Sequence, residues 1–474
     1  MEDLKKGYIY NNFSPDKFKD ECGVYGIFNT GEETLEVGKR AYYGLYALQH
    51  RGQESAGIVS FDGEKMHSHK DMGLVSEVFN KEILSKLTGY SAIGHVRYST
   101  AGGSCIKNAQ PILGEFKLGN IAIAHNGNLT NADIIRELLE DSGCIFQTLI
   151  DSEVILYLIA RSAKKGILNA VVDTMQAIKG SFAITILTEN ELIGVRDPYG
   201  IRPLCIGKIK DSYVLASESC ALDATGAEFI RDVEAGEIVV INKEGLKSIK
   251  FGEKSKKAVC SFEYIYFARP DSKIDGISVH KSRFKAGQEL YRENPVEADI
   301  VVAVPDSGIS AAMGYSEASG IPYELGLIKN KYVGRTFISP TQEERENAVN
   351  VKLNVLKENV SGKRVVLIDD SIVRGTTSKR LVELLREAGA KEIHFRVSSP
   401  VVKFPCYLGI DTPYRRGLIG ANMGVEEICN IIGADTLGYL SKEKLLECLD
   451  KNMDFCMGCF QGEYPISAPI RFEE

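Results

Sequence analysis

Residues 365–378, VVLIDDSIVRGTTS, run from an apolar strand through two adjacent carboxylates into a Gly-Thr-Thr turn that opens an amphipathic helix. Free backbone N–H groups at a helix start, joined by threonine hydroxyls, form an anion site. Asp369 and Asp370 at the strand end suit ribose hydroxyls or Mg²⁺, which prefers carboxylates, phosphates and water. A pentose phosphate fits both halves of the loop; a plain polar turn between strand and helix is the alternative. Cys22 opens CGVYGIF at the start of another apolar run, where a cysteine is either a core thiol or a nucleophile. Four polar clusters sit at the ends of apolar strands: RGQESAG (51–57), GHVRYSTAG (94–102), AHNGNLTN (124–131) and DSE (151–153). Loops on a rigid scaffold are where sites concentrate. Cys456 and Cys459 form CMGC, with Cys260 and Cys406 in separate segments. Four thiolates suit either Zn²⁺ or an iron–sulfur cluster, and spacing does not separate the two.

The elements that must hold these groups fall into two rhythms. Runs at 23–30, 91–97, 119–125, 181–187, 213–217 and 237–242 read as short buried strands between turns, with helical periods at 131–140 and 151–163. This half reads as one α+β domain, 22–250. The polar, lysine-rich stretch 244–258 reads as a linker. Beyond it strands alternate with helices: strand 299–304, helix 308–319, strands 322–328 and 364–369, helix 376–388, strand 392–398. That alternation implies crossover units and a parallel sheet, with ligands at the carboxyl ends of the strands. The second domain is expected over 259–474.

Composition narrows the partners. The chain has 474 residues, too many for one ordinary core, and 57 basic against 64 acidic residues leave a net charge of −7. No block of like charge suggests a nucleic-acid partner. The first 21 residues have no apolar core of a secretory signal, and no stretch approaches a membrane span. A cytoplasmic location is expected, so the 11 cysteines are expected as nucleophiles, metal ligands or buried thiols rather than disulfides.

Taken together, the segments around Cys22 resemble the N-terminal-nucleophile glutaminase domain of the glutamine amidotransferases, an αββα sandwich, over about 230 residues. In that family the nucleophile is the first residue and its own α-amine is the base. The resemblance therefore implies that residues 1–21 are a propeptide, removed by self-processing before Cys22. It also implies that Arg97 clamps the glutamine α-carboxylate, that Asp151 meets the α-ammonium, and that Asn126 and the Gly127 amide stabilise the oxyanion. His95 and His125 are expected as structural neighbours, not bases.

The loop 365–378 resembles the signature of the type I phosphoribosyltransferases. That likeness implies Asp369 and Asp370 at the ribose and Mg²⁺, and Gly375, Thr376 and Thr377 around the 5-phosphate. It puts pyrophosphate at VPDSG (304–308), where Ser307, also expected near the Mg²⁺, and the Gly308 amide are the candidates. KNKYVGRTF (329–337), with Lys331 and Arg335, corresponds to a lid over the phosphoribosyl substrate.

The whole chain is similar to the cluster-bearing amidophosphoribosyltransferases. For these the resemblance implies one Mg²⁺ and one 4Fe-4S cluster per subunit, the cluster on Cys260, Cys406, Cys456 and Cys459. It further implies a homotetramer, glutamine and phosphoribosyl pyrophosphate as substrates, and purine nucleotides as feedback inhibitors. Cys105, Cys144, Cys205, Cys220, Cys429 and Cys448 remain as ordinary thiols. One departure is Asn350, which stands in VNVKLN where the family usually has arginine; altered feedback is the expected consequence.

Overall fold

The computed structural model describes residues 22–31, 35–98, 103–252, 256–330, 353–410, 412 and 414–469. Residues 1–21, expected as a propeptide, and Lys331, Arg335 and Asn350 lie outside the described residues.

The first half is built on strands β1 (Gly23–Asn29), β2 (Ser91–Arg97), β3 (Gly119–Leu129) and β4 (Gly180–Thr188). β1 is the central strand of a seven-stranded antiparallel sheet, with β2 on one side and Ser212–Ala216 on the other. β3 and β4 pair antiparallel within a six-stranded sheet. The two sheets face each other. Val24 and Phe28 of β1 meet Ala122, Ala124 and Ala183 in the shared core, while Tyr25 and Ile27 point the opposite way beneath helix α1 (Val37–Ala47). Because both faces of β1 are covered, it reads as a continuous apolar run. Gly44 lets α1 approach that closely: a Cβ there would lie 2.3 Å from the Tyr25 ring. On the far side, α2 (Ser152–Arg161) and α3 (Ile167–Ala177) cover the second sheet with Ile155, Ile159, Val171 and Met175. The layers are thus helix, sheet, sheet, helix.

The second half carries a four-stranded parallel sheet in the order β5 (Ile300–Ala303), β6 (Arg364–Asp369), β7 (Glu392–Val397), β8 (Thr436–Tyr439). Val301, Ala303, Val366 and Ile368 face α4 (Val279–Glu293) and α5 (Ile309–Ser319). The alternate residues Ile300, Val302, Val365 and Leu367 face α6 (Thr376–Glu387). The parallel order sends the loops after β5 and β6 to the same edge, the crevice where such sheets bind ligands.

Two expectations change. Within 322–328 only Leu327–Lys329 forms a strand, paired with Leu353–Val355, while Tyr323 makes an isolated bridge to Val301. The stretch 244–258 is not all linker: Gly245–Lys250 is an edge strand on Glu237–Asn242. Its side chains are half or fully exposed, so it lacks the apolar alternation that marks a buried strand.

Candidate active sites

Cys22 enters β1 at the end of the first sheet, buried at 8% exposure. Its Sγ donates to the Tyr98 carbonyl at 3.4 Å, and no imidazole among the described residues is bonded to it. Burial raises the thiol, with Tyr98 and Arg97 acting against that rise. The Arg51 Nε donates to the Cys22 carbonyl at 3.0 Å and fixes the backbone from behind.

A small pocket opens on Cys22 and is lined also by Arg97, Tyr98, Gln110, His125, Gly127, Ile150 and Asp151. Arg97, the last residue of β2, brings a buried guanidinium that donates to the Gly103 carbonyl at 3.1 Å and lies 3.5 Å from Glu54. Asp151 precedes α2. Its carboxylate accepts from the Leu129 amide at 2.9 Å and from Ser152 Oγ at 3.3 Å, with His125 Nδ1 at 3.5 Å. Burial opposes the charge on Asp151, yet His125 and these donors hold it below the ordinary carboxylate range. The pocket therefore has a cationic and an anionic wall beside one thiol.

Asn126 and Gly127 lie on β3 next to this pocket. The Asn126 Nδ2 is buried and has no hydrogen-bond partner among the described residues, a donor held ready for an acceptor. Gly127 adopts φ +143°, and a Cβ there would strike the Ser181 carbonyl at 2.0 Å. His95 is buried behind the pocket, bonded to the His125 carbonyl at 3.0 Å, and burial drives its imidazole down to about 3. It is a neutral structural neighbour. His125 is more than that, since it lines the pocket and touches Asp151. Gln110, Tyr98 and Arg51 were not singled out from sequence; Arg51, inside RGQESAG, and Tyr98, inside GHVRYSTAG, carried a signal, and Gln110 carried none.

At the other centre, β6 ends on two buried carboxylates. Asp369 Oδ1 accepts from the Asp370 amide at 2.9 Å, and Asp370 accepts from Ser371 Oγ at 2.6 Å and from Ser307 Oγ. Ser307 is thereby drawn from the loop after β5 to the acid pair. The Gly308 amide, by contrast, donates to the Val304 carbonyl at 3.0 Å and is not open to a ligand. Asp306 pairs with Lys329 at 2.7 Å. Gly375 is the cap residue at the start of α6, with φ +85°, and has no side chain to bond the first turn. The first-turn amides of Thr376 and Thr377 therefore meet no side-chain acceptor from the cap residue. The buried Arg283 guanidinium lies near Asp370; burial pulls it down to about 10 against that carboxylate.

The four cysteines gather on one wall of the second half. Cys260 and Cys456 are in register on the parallel pair Val259–Cys260 and Phe455–Cys456. The buried Cys459 thiol is raised first by burial, then by Cys260, Cys456 and Cys406. Among the described residues no group of three or more His, Cys, Asp or Glu is arranged to hold a metal ion.

A thiol pocket with opposed charges, joined to an acid-pair phosphate loop on a parallel sheet, defines a glutamine amidotransferase fused to a phosphoribosyltransferase. The glutamine amidotransferase domain family matches residues 95–224 and the phosphoribosyl transferase domain family matches 282–399. Amidophosphoribosyltransferase of Bacillus subtilis is 53% identical over 452 residues, 94% of each chain. That of Archaeoglobus fulgidus is 52% identical over 94% of this chain and 98% of its own. A solved structure of the B. subtilis glutamine phosphoribosylpyrophosphate amidotransferase, complexed with ADP and GMP, superposes with a TM-score of 0.90 at 51% identity, covering 95% of this chain and 99% of that one. The chain belongs to the amidophosphoribosyltransferase family. Its reaction is the glutamine-dependent amination of phosphoribosyl pyrophosphate, the first step of purine biosynthesis.

Proposed function

We propose that Cys22 is the nucleophile that releases ammonia from glutamine, and that Asp369, Asp370, Ser307, Gly375, Thr376 and Thr377 hold the phosphoribosyl pyrophosphate that receives it. The observation that carries the glutaminase half is that Arg97 and Asp151 both line the pocket that opens on Cys22. A free amino acid is a zwitterion, and this pocket offers a cation for its carboxylate and an anion for its ammonium. Cys22 attacks the side-chain amide, and Asn126 with the Gly127 amide stabilises the oxyanion. Ammonia leaves, and water hydrolyses the thioester to glutamate.

Among the described residues no histidine is bonded to the thiol, which favours the Cys22 α-amine as base and hence removal of residues 1–21. Ammonia then attacks C1 of the ribose with inversion, displacing pyrophosphate. Free ammonia would be protonated in water, so a closed path between the sites belongs to the reading. Mg²⁺ when bound neutralises the pyrophosphate charge; Asp369 and Asp370 would hold it, near Ser307, with phosphate oxygens and water. Lys331 and Arg335 are assigned to the lid over that substrate.

Cys260, Cys406, Cys456 and Cys459 would hold a 4Fe-4S cluster. An all-sulfur donor set suits it, as it also suits Zn²⁺, and the likeness to the cluster-bearing relatives favours the cluster. The cluster would supply a structural tie between the C-terminal segment and the body. The domain limits are assigned as 22–250 and 259–474. A homotetramer in the cytoplasm, inhibited by purine nucleotides, completes the reading; among the described residues no helix is long and apolar enough to cross a membrane. Asn350→Arg is expected to change inhibition by AMP and GMP, and unchanged titrations would sink that role.

One anaerobic preparation tests the whole. Intact mass should show a chain beginning at Cys22, and iron and sulfide analysis should find four of each per chain, as a 4Fe-4S cluster requires. Glutamate and pyrophosphate should form together only with both substrates and Mg²⁺. Glutamate without pyrophosphate would refute the acceptor assignment.

A further inference from the structure

The oxyanion donors sit on a strand whose outer end is held by the other half of the molecule. Asn126 and Asn128 are alternate residues of β3 and so share one face of the sheet. Across the ladder Asn128 stands opposite Ser181 of β4. Both side chains of this cross-strand pair reach into the second half and bind consecutive carbonyls: Asn128 Nδ2 donates to Tyr407 O at 2.9 Å, and Ser181 Oγ donates to Leu408 O at 2.6 Å. The buried Arg202 guanidinium donates to the same Leu408 carbonyl.

That segment is itself fixed by the cysteine wall. The Leu408 amide donates to Cys406 Sγ at 3.3 Å. Tyr407 packs on Tyr464 with ring centroids 4.4 Å apart, and its hydroxyl donates to the Ile466 carbonyl at 3.2 Å. Tyr464 in turn donates to the Pro405 carbonyl and packs over Gly458, between Cys456 and Cys459, where a Cβ would lie 2.2 Å from the ring. A continuous set of contacts thus runs from the CMGC segment through 405–408 to the strand bearing Asn126 and Gly127.

We infer that the Tyr407–Leu408 backbone is a positioning element of the glutaminase site, acting on the oxyanion donors through Asn128 and Ser181. The inference rests on the assignment of Asn126 and Gly127 as those donors. Misplacing a reacting group by about 1 Å costs up to ~10²-fold in rate. The segment touches no substrate in this account, so its loss should lower turnover without weakening glutamine binding.

The test uses the full-length processed enzyme and two assays: glutamine-dependent and ammonia-dependent amination of phosphoribosyl pyrophosphate. Asn128→Ala and Ser181→Ala should each lower the glutamine-dependent kcat about ten- to a hundredfold, with KM for glutamine within about twofold and the ammonia-dependent rate kept. Ser181→Thr, which keeps the hydroxyl, should restore kcat. Asn126→Ala is the reference. If it loses glutaminase activity while Asn128→Ala and Ser181→Ala keep theirs, the inference is overturned and the site assignment stands. If Asn126→Ala is fully active, the assignment fails and the inference with it. Equal loss in both assays for Asn128→Ala and Ser181→Ala would also overturn it, since the contacts would then only hold the fold.

Discussion

Arg51 of the glutaminase half and Glu263 of the transferase half form a two-pronged ion pair, with Nη2 to Oε1 at 2.7 Å and Nη1 to Oε2 at 2.9 Å, and neither side chain has any exposure. Nη1 also reaches Glu218 at 2.6 Å, and Nε holds the Cys22 carbonyl. A buried charge that loses a partner is strongly destabilising, by roughly 3–5 kcal/mol. Glu263→Gln should therefore lower the urea midpoint markedly, with glutamine-dependent turnover falling in native buffer because the Cys22 backbone loses part of its support. A midpoint within experimental error of the parent would show that Glu218 alone satisfies Arg51.

That pair also marks how far sequence reaches. Arg51 and Glu263 are 212 positions apart, and nothing local in RGQESAG or FEYIYF says that they meet. The strands bearing the sites were legible because both of their faces are covered: GVYGIFN and RVVLID carry apolar residues in succession. The edge strands Met66–Met72 and Gly245–Lys250 were not, since MHSHKDM and GLKSIK place polar residues at exposed and half-exposed positions. In the sites, Arg97 and Asp370 lie within segments whose polar residues stand out at the ends of apolar strands. Gln110, from a stretch without chemistry of its own, reaches the pocket only because its side chain accepts from the His125 amide at 2.8 Å.

His125 lines the Cys22 pocket beside Asp151. Its Nδ1 lies 3.5 Å from Asp151 and 3.2 Å from Ser152 Oγ, while Nε2 is buried with no hydrogen-bond partner among the described residues. No bond joins it to Cys22 Sγ. His125→Gln should raise KM for glutamine by about tenfold and change kcat little, the pattern of lost ground-state binding. A fall in kcat at constant KM would instead place the imidazole at the reacting amide.

Asp232 gives the molecule a pH-dependent weakness where its halves meet. Burial first, then the Asp275 carboxylate, pushes Asp232 up to about 6, although Arg196 and Lys257 favour its charge. Asp275 belongs to the other half and holds Arg196 through bonds of 2.6 and 3.0 Å. The ordinary value is near 4, so between about pH 4 and 6 the folded chain binds more protons at this site than the unfolded one. Stability from Asp232 is then present at low pH and lost as pH rises to about 6, up to roughly 3 kcal/mol in all. Asp232→Asn removes the titration, and Arg196 keeps Asp275. The variant should gain urea resistance relative to the parent at pH 7.5, and the gain should shrink as pH falls toward 5. A gain that is equal at both pH values would mean that the carboxylate is already ionised in the folded chain across the whole range, and that the weakness lies elsewhere.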